Sequence, residues 1–596
     1  MTLLSTLLSL PAVMAFDVDS TGRLLVGYDG SGVRQLHEVS PDGEWRALTA
    51  LADRVGDGQF VPGTSQVIVQ HDADGNERGQ LSLLDLADPL LELKPLVHDP
   101  AYFHSMIEVR ADRLLYTTNR RNGTDFDLIA RDLANGDETT LWDGGGYVMS
   151  VRPSPDGRWV AVVRAGGPAN SNQLLLVESG TTRTIEVTSY DDPTHLHAVS
   201  WRPDSAGLLV ASDAGRDRIA VLAYDLATGT LADLIVDERC DLAGWVCPDG
   251  EHVLVATTDD GEISLALHRL ADGVPVAPLG LPAGGCAARH MAAADPLWSK
   301  DGAYALINYN SPTEPPCVIR YNRESGELFT VRAPDMPALP ANLPTPESHR
   351  VKSFDGEQIP VFVYRPADGG DGSAVVLVHG GPEWMSARVW HPMTVALAGQ
   401  GHTVIVPNVR GSAGYGKRWY SLDDKYLRLN SVEDLAAIHD WLPELGLDPN
   451  RAALYGGSYG GYMVLAGLAF QPERWAAGVD VVGMASLVTF LENTSDYRRV
   501  AREREYGSLT EDREFLELAS PLNRVDQIRA PLLVIHGAND PRVPLSEAEQ
   551  IAAALTARDV PCELLVYRDE GHGLHKRVNQ LDAYPKALAF LAKTLK

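Results

Sequence analysis

At 596 residues the chain is too long for one hydrophobic core and is expected to divide into several domain-sized units. Its 80 acidic against 51 basic residues, a net charge of -29, disfavour nucleic acid as a partner, and no apolar run is long enough to span a bilayer. The five cysteines, Cys240, Cys247, Cys286, Cys317 and Cys562, contain no C-x-x-C pair and leave one over in any disulfide scheme, so a reducing, cytoplasmic setting is expected.

In chain order, residues 3–10 are apolar and are followed by Val13-Met14-Ala15, which could pass for a signal-peptidase site. No basic segment precedes them, and the stretch is expected to lead into a first strand at Phe16-Asp17-Val18. From residue 16 to about 325 one phrase returns: a turn rich in Pro, Asp and Gly, an alternating apolar strand, a polar turn and another strand. Pro155-Asp156-Gly157 before Trp159, Pro203-Asp204 before Leu208 and Pro248-Asp249-Gly250 before Val253 are clear copies. About seven copies at the spacing of one four-stranded blade predict a β-propeller of about seven blades, since one such unit cannot bury its own faces. The repeat gives way to a connector with prolines at 334, 337, 340, 344 and 346, extended and stiff. Apolar strands then alternate with helical stretches, the pattern of a doubly wound α/β sheet. The expected division is a propeller at 1–333, a Pro-rich linker at 334–346 and an α/β-hydrolase catalytic domain at 347–596. Ser431-x-x-Asp434 and Ser546-x-x-Glu549 read as capping boxes that start two of its helices.

Chemistry concentrates in the second half. Gly456-Gly457-Ser458-Tyr459-Gly460 joins an apolar strand to an apolar helix-prone segment, the context in which G-x-S-x-G is a nucleophile elbow. A serine hydroxyl needs an imidazole to take its proton and an acid to orient that imidazole, and in this fold the chain order is Ser, acid, His. The loop after the strand 532–535 offers Asp540, and the turn after the strand 564–567 offers His572. His536 precedes the acid and His575 lies beyond the Gly-flanked turn, so both are set aside. The oxyanion donors expected are the N–H of Tyr459 and one from the early Gly-rich turn His379-Gly380-Gly381-Pro382, that of Gly381. His379 is expected to be structural.

With H-G-G-P at 379–382, N-V-R-G-S-A-G-Y-G at 408–416, G-G-S-Y-G-G at 456–461, H-G-A-N-D-P-R-V-P at 536–544 and E-G-H-G at 570–573, the second half resembles the prolyl oligopeptidase family of serine peptidases, most of all its acylaminoacyl-peptidase branch. The resemblance implies cleavage of short peptides at a site between propeller and hydrolase domain, without cofactor or metal. It puts Ser458, Asp540 and His572 on the family's triad, and Arg542 on an arginine aimed at a substrate carbonyl or blocked N-terminus. A loop-closing ion pair is the other reading of Arg542. Tyr415, where some relatives place an oxyanion-binding hydroxyl, is expected to be structural, and Phe490 is taken as a wall of the S1 pocket. Dipeptidyl-type relatives read a free amine with paired glutamates, and this chain has no Glu-Glu dipeptide. The expected substrates are therefore short or N-acylated peptides. A dipeptidyl peptidase, a prolyl endopeptidase, a carboxylesterase with the same triad and an inert hydrolase module beneath a binding propeller are the alternatives. A homo-oligomer is compatible with the sequence.

Overall fold

A computed structural model of the chain describes residues 2–166, 169, 171–181, 183–190, 194–287, 295–334 and 336–596. Of the connector expected at 334–346, Asp335 lies outside the described residues. Among those described, seven four-stranded antiparallel sheets follow one another, each built from strands consecutive in sequence. These are the propeller blades, spanning 13–47, 55–97, 104–142, 147–186, 196–235, 241–278 and 297–331. The recurring turn phrase has a bonding pattern behind it. In blade 4 the Ser154 hydroxyl donates to Asp156 at 2.6 Å and accepts the Trp159 N–H at 2.9 Å. In blade 7 Ser299, Asp301 and Tyr304 repeat this at 2.6 and 3.0 Å. Gly157 and Gly302, at φ +72° and +68°, supply the left-handed residue that each turn requires. Blade 1 meets blade 7 through side chains, Val13, Ala15 and Val26 packing with Leu306 and Val318.

The second half carries an eight-stranded sheet in the spatial order 347–352, 358–364, 403–407, 374–378, 452–457, 477–481, 532–537 and 562–567. From 403–407 onward all neighbours are parallel. The inner strands Ala374–Val378 and Leu532–Gly537 are buried on both faces, as a sheet covered by helices on either side requires. Such a sheet presents its functional loops beyond the carboxyl ends of its strands, and here those ends face the propeller.

Residues 3–10 lead into the first strand, Val13–Val18, as a helix, Leu3–Ser9, capped by the Thr2 hydroxyl on the Ser5 N–H. Its Leu4, Leu7 and Leu8 sink into the apolar cluster of Phe362, Leu397, Leu588 and Leu591, so the segment packs with the hydrolase half rather than with the blades. Neither capping box forms as read. The helix Arg428–Trp441 starts three residues before Ser431, whose hydroxyl bonds back to the Arg428 carbonyl at 2.7 Å, while Asp434 is drawn to Arg410 at 2.8 Å. The helix Leu545–Thr556 is preceded by Pro544, so Ser546 already lies inside it. In both places a tertiary partner or a proline, not the S-x-x-D/E spacing, decides the start.

Candidate active site

The strand Ala452–Gly457 passes directly into the helix Tyr459–Phe470, with Ser458 at the corner at φ 58° and ψ -116°. That conformation is costly for a residue with a side chain and persists only where the surroundings hold it. They do so by contact too close for any larger neighbour. A Cβ on Gly456 would lie 2.3 Å from the Gly460 carbonyl oxygen, and one on Gly460 would lie 2.2 Å from that of Val378.

Ser458, His572 and Asp540 meet in space. The Ser458 hydroxyl lies 2.9 Å from His572 Nε2, and His572 Nδ1–H donates to Asp540 Oδ2 at 2.7 Å. Asp540 Oδ1 accepts the N–H groups of Arg542 and Val543 at 2.8 and 3.0 Å. Burial pushes the Asp540 carboxyl up, but His572 and these bonds outweigh it and hold it below its ordinary value of 3.8. His536, also buried, lies 3.0 Å from the Val543 carbonyl and braces the same loop.

Tyr459 opens its helix, so its N–H has no intrahelical acceptor. Gly380 and Gly381 lie alongside: a Cβ on Gly380 would stand 3.5 Å from that of Ser458. The ring nitrogens of His379 sit 2.7 Å from the Gly380 carbonyl and 2.8 Å from the Ser412 hydroxyl, and burial pushes its imidazole down to about 4, so it braces the turn as a neutral group. Tyr415 is engaged between Asn408 at 3.0 Å and Asp260 of the propeller at 3.2 Å. Phe490 is 2% exposed, edge-on to Tyr506, in the same apolar cluster as Tyr459.

Arg542 is met from the propeller. Its Nε–H donates to Glu77 at 2.7 Å, Glu77 standing at φ +58° on the loop between two strands of blade 2. Burial alone would push the guanidinium down, and Glu77 reverses this. Tyr497 stands nearby, ringed by Phe103, Phe126 and Tyr147 of blades 3 and 4 at centroid distances of 4.8, 5.4 and 6.1 Å.

Beneath the elbow lies a group of charges that no motif marks. Arg428, fully buried, is ion-paired with Asp423 and Glu505, and it donates to the Tyr459 hydroxyl at 3.2 Å. The Tyr459 hydroxyl also meets Ser431 at 2.8 Å. Arg502 pairs with Glu383 at 3.2 Å and donates to the Gly381 carbonyl at 3.3 Å. Glu77, Arg428, Glu383 and Arg502 carry no spacing signature: Glu77 meets Arg542, Glu383 meets Arg502 and Arg428 meets Glu505 across distant segments, and the Asp423–Arg428 spacing belongs to no motif.

Fold and site together define a two-domain hydrolase, a seven-bladed propeller joined to an α/β-hydrolase half with a serine on its elbow. The family model described as prolyl oligopeptidase family matches residues 389–596. Dipeptidyl aminopeptidase BIII of Pseudoxanthomonas mexicana is 25% identical over 95% of this chain and 87% of its own. The acylamino-acid-releasing enzyme of Rattus norvegicus is 28% identical over 42% of this chain and 35% of its own. A puromycin-hydrolyzing peptidase of Mycobacterium tuberculosis shares the fold at a TM-score of 0.86 and 21% identity, covering 100% of this chain and 96% of that one. Residues 389–596 thus match the prolyl oligopeptidase family, and the chain is a serine-type peptidase.

Proposed function

We propose that this peptidase hydrolyses short peptides, N-acylated ones included, through an acyl-enzyme on Ser458. The observation that carries the reading is the unbroken hydrogen-bonded line from Ser458 through His572 to Asp540 at the strained corner. His572 takes the Ser458 proton as the hydroxyl oxygen attacks the scissile carbonyl, and Asp540 holds the ring and stabilises the imidazolium. The N–H groups of Tyr459 and Gly381 receive the developing oxyanion. His572 then hands its proton to the leaving amine, and water, activated by the same imidazole, releases the acyl group. Phe490 serves as a wall for the side chain preceding the scissile bond, and Arg542 offers the free arm of its guanidinium to a substrate carbonyl. The absence of any disulfide among the five cysteines supports a reducing, cytoplasmic setting. Among the described residues, no helix is long and apolar enough to cross a membrane.

Glu77 favours a second reading. A carboxylate beside Arg542 is a ready partner for a free α-ammonium, as an aminopeptidase or dipeptidyl peptidase needs, and it meets that need without a Glu-Glu dipeptide. Matched peptides, free and N-acetylated, decide between them when assayed with the wild type and Glu77→Gln. On the proposed reading the acetylated peptide is cleaved at least as well as its free partner. Strict dependence on a free amine, lost in Glu77→Gln, would move the enzyme to the second reading. Ser458→Ala should abolish turnover and serine-directed phosphonate labelling in either case, and labelling at the wild-type rate would point to another nucleophile.

A further inference from the structure

Three residues beyond His572, at His575, a cavity of about 270 Å³ lies between blade 1, blade 7 and the final helix. Arg34, Arg54, Asn308, Asn310 and Gln580 share its walls with His575. Arg34 is the unusual member. Its Nε–H donates to the Val55 carbonyl at 2.8 Å, and the rest of the guanidinium meets only the Met14 sulfur at 3.7 Å and the Phe16 ring at 5.9 Å. Among the described residues it has no ion-pair partner. Burial, with Arg54 adding to it, pushes the guanidinium down to about 10, against the opposing pull of the Asp29, Asp57 and Asp72 carboxylates.

The neighbouring groups are mostly donors. Arg54 is paired with Asp72 at 3.0 Å and gives its remaining arm to His575 Nε2 at 2.8 Å. His575 stays neutral, since burial and the nearby arginines Arg54, Arg34 and Arg542 push it down to about 3. Asn308 spends its side-chain oxygen on the Ala15 N–H at 2.9 Å and Asn310 on the Trp390 N–H at 2.9 Å, which leaves the NH₂ side of each amide for another partner. Asp29 is the carboxylate on this wall. It is already engaged, accepting the Ala12 N–H at 2.7 Å and lying 3.5 Å from Arg577.

We infer that this cavity receives the free C-terminal carboxylate of a short peptide, held by Arg34 and the amides of Asn308 and Asn310. The inference rests on the peptidase reading above. His572 hands its proton to the leaving amine, so the part of the substrate that departs extends from His572, and His575, three residues further on, lines the cavity whose wall carries Arg34. A carboxylate there limits the number of residues that can follow the scissile bond, and it makes the free acid, not the amide, the preferred form. A small inorganic anion shares the same chemistry and is the other source to be distinguished.

Binding to the Ser458→Ala protein separates these outcomes without turnover, so the result stands whether or not Ser458 is the nucleophile. By titration calorimetry a tripeptide free acid is expected to bind at least about tenfold tighter than its carboxamide, the scale of a hydrogen bond to a charged group. Adding Arg34→Gln should collapse that ratio toward one, and Arg34→Lys should restore part of it. Asn310→Asp, which keeps the acceptor for Trp390 and places a negative charge in the cavity, should collapse it as well. Equal affinity of acid and amide overturns the inference, as does a preference for the acid that survives both Arg34→Gln and Asn310→Asp in folded protein. Inorganic phosphate binding that depends on Arg34, with acid and amide bound alike, would give the cavity to a free anion and equally overturn it.

Discussion

At Ser458 three requirements meet in one residue: a positive φ, a hydroxyl clear of the fold and an imidazole within 2.9 Å. The imidazole serves only while it can accept a proton, so kcat/KM is expected to fall as acid protonates His572, with the slope of one proton. Asp540 is not the source of that fall. Its carboxyl lies below 3.8 in the folded chain and stays ionised through the imidazole range. Its pairing stabilises the fold at pH above the ordinary carboxylate value and is lost only as pH drops through the depressed one. A kcat/KM that stays flat on acidification, with chemistry shown to limit the rate, would remove His572 from the role of base. Arg502 works one step further back, since it donates to the Gly381 carbonyl and so holds the turn that lies beside Ser458.

The element that matters most is the strand, corner and helix from Ala452 to Phe470, and its tolerance is set by backbone contact. Gly460→Ala would bring a methyl to 2.2 Å from the Val378 oxygen, a clash with main chain that no rotamer relieves. The variant should lose about 1–3 kcal/mol of stability, the usual cost of overpacking, and most of its activity as Ser458 is displaced. Full activity and an unchanged urea midpoint would show that the corner can relax. The same element is held from below by Arg428, whose two buried carboxylate partners and the Tyr459 hydroxyl tie the helix Arg428–Trp441 to the residue after Ser458. Such a group stabilises only while complete, because removing one charge strands the others in a dry interior.

At the scale of the whole molecule, the two halves meet through main chain as well as through charge. A Cβ on Gly571 would lie 1.8 Å from the Gly75 oxygen, so the blade 2 loop that carries Glu77 rests directly on the turn that carries His572. Asn539 donates to the Asp74 carbonyl of that loop at 3.1 Å, and Lys576 reaches Asp53 at 2.9 Å. The N-terminal helix adds a third tie, because it leads into blade 1 yet buries its leucines in the hydrolase half. Leu7, 1% exposed, is central to it. Leu7→Ala is expected to cost about 2–5 kcal/mol, read as a lower denaturant midpoint for the hydrolase half. A change within about 0.5 kcal/mol, the range of ordinary surface substitutions, would show that the helix is not part of that core.

What the sequence by itself determined are the features whose physics is local. Glycine readily supplies a left-handed turn residue, which made the Pro-Asp-Gly phrase of the blades readable as letters, and the glycines around Ser458 were readable because main chain packs there too closely for a side chain. Chain order along a parallel sheet singled out Asp540 and His572, because loops at the same ends of neighbouring strands are close whatever their composition. What only the tertiary structure decided are the partnerships between segments far apart. Glu77 and Arg542 are 465 positions apart, and nothing near either one marks the other. The helix at Leu3–Ser9 belongs with the hydrolase half because an apolar surface waits there, and the two capping-box spacings failed because Arg410 and Pro544 set the local geometry instead. An ion pair or a cavity wall needs only that two groups arrive within a few ångströms, and that distance exists once the domains have packed.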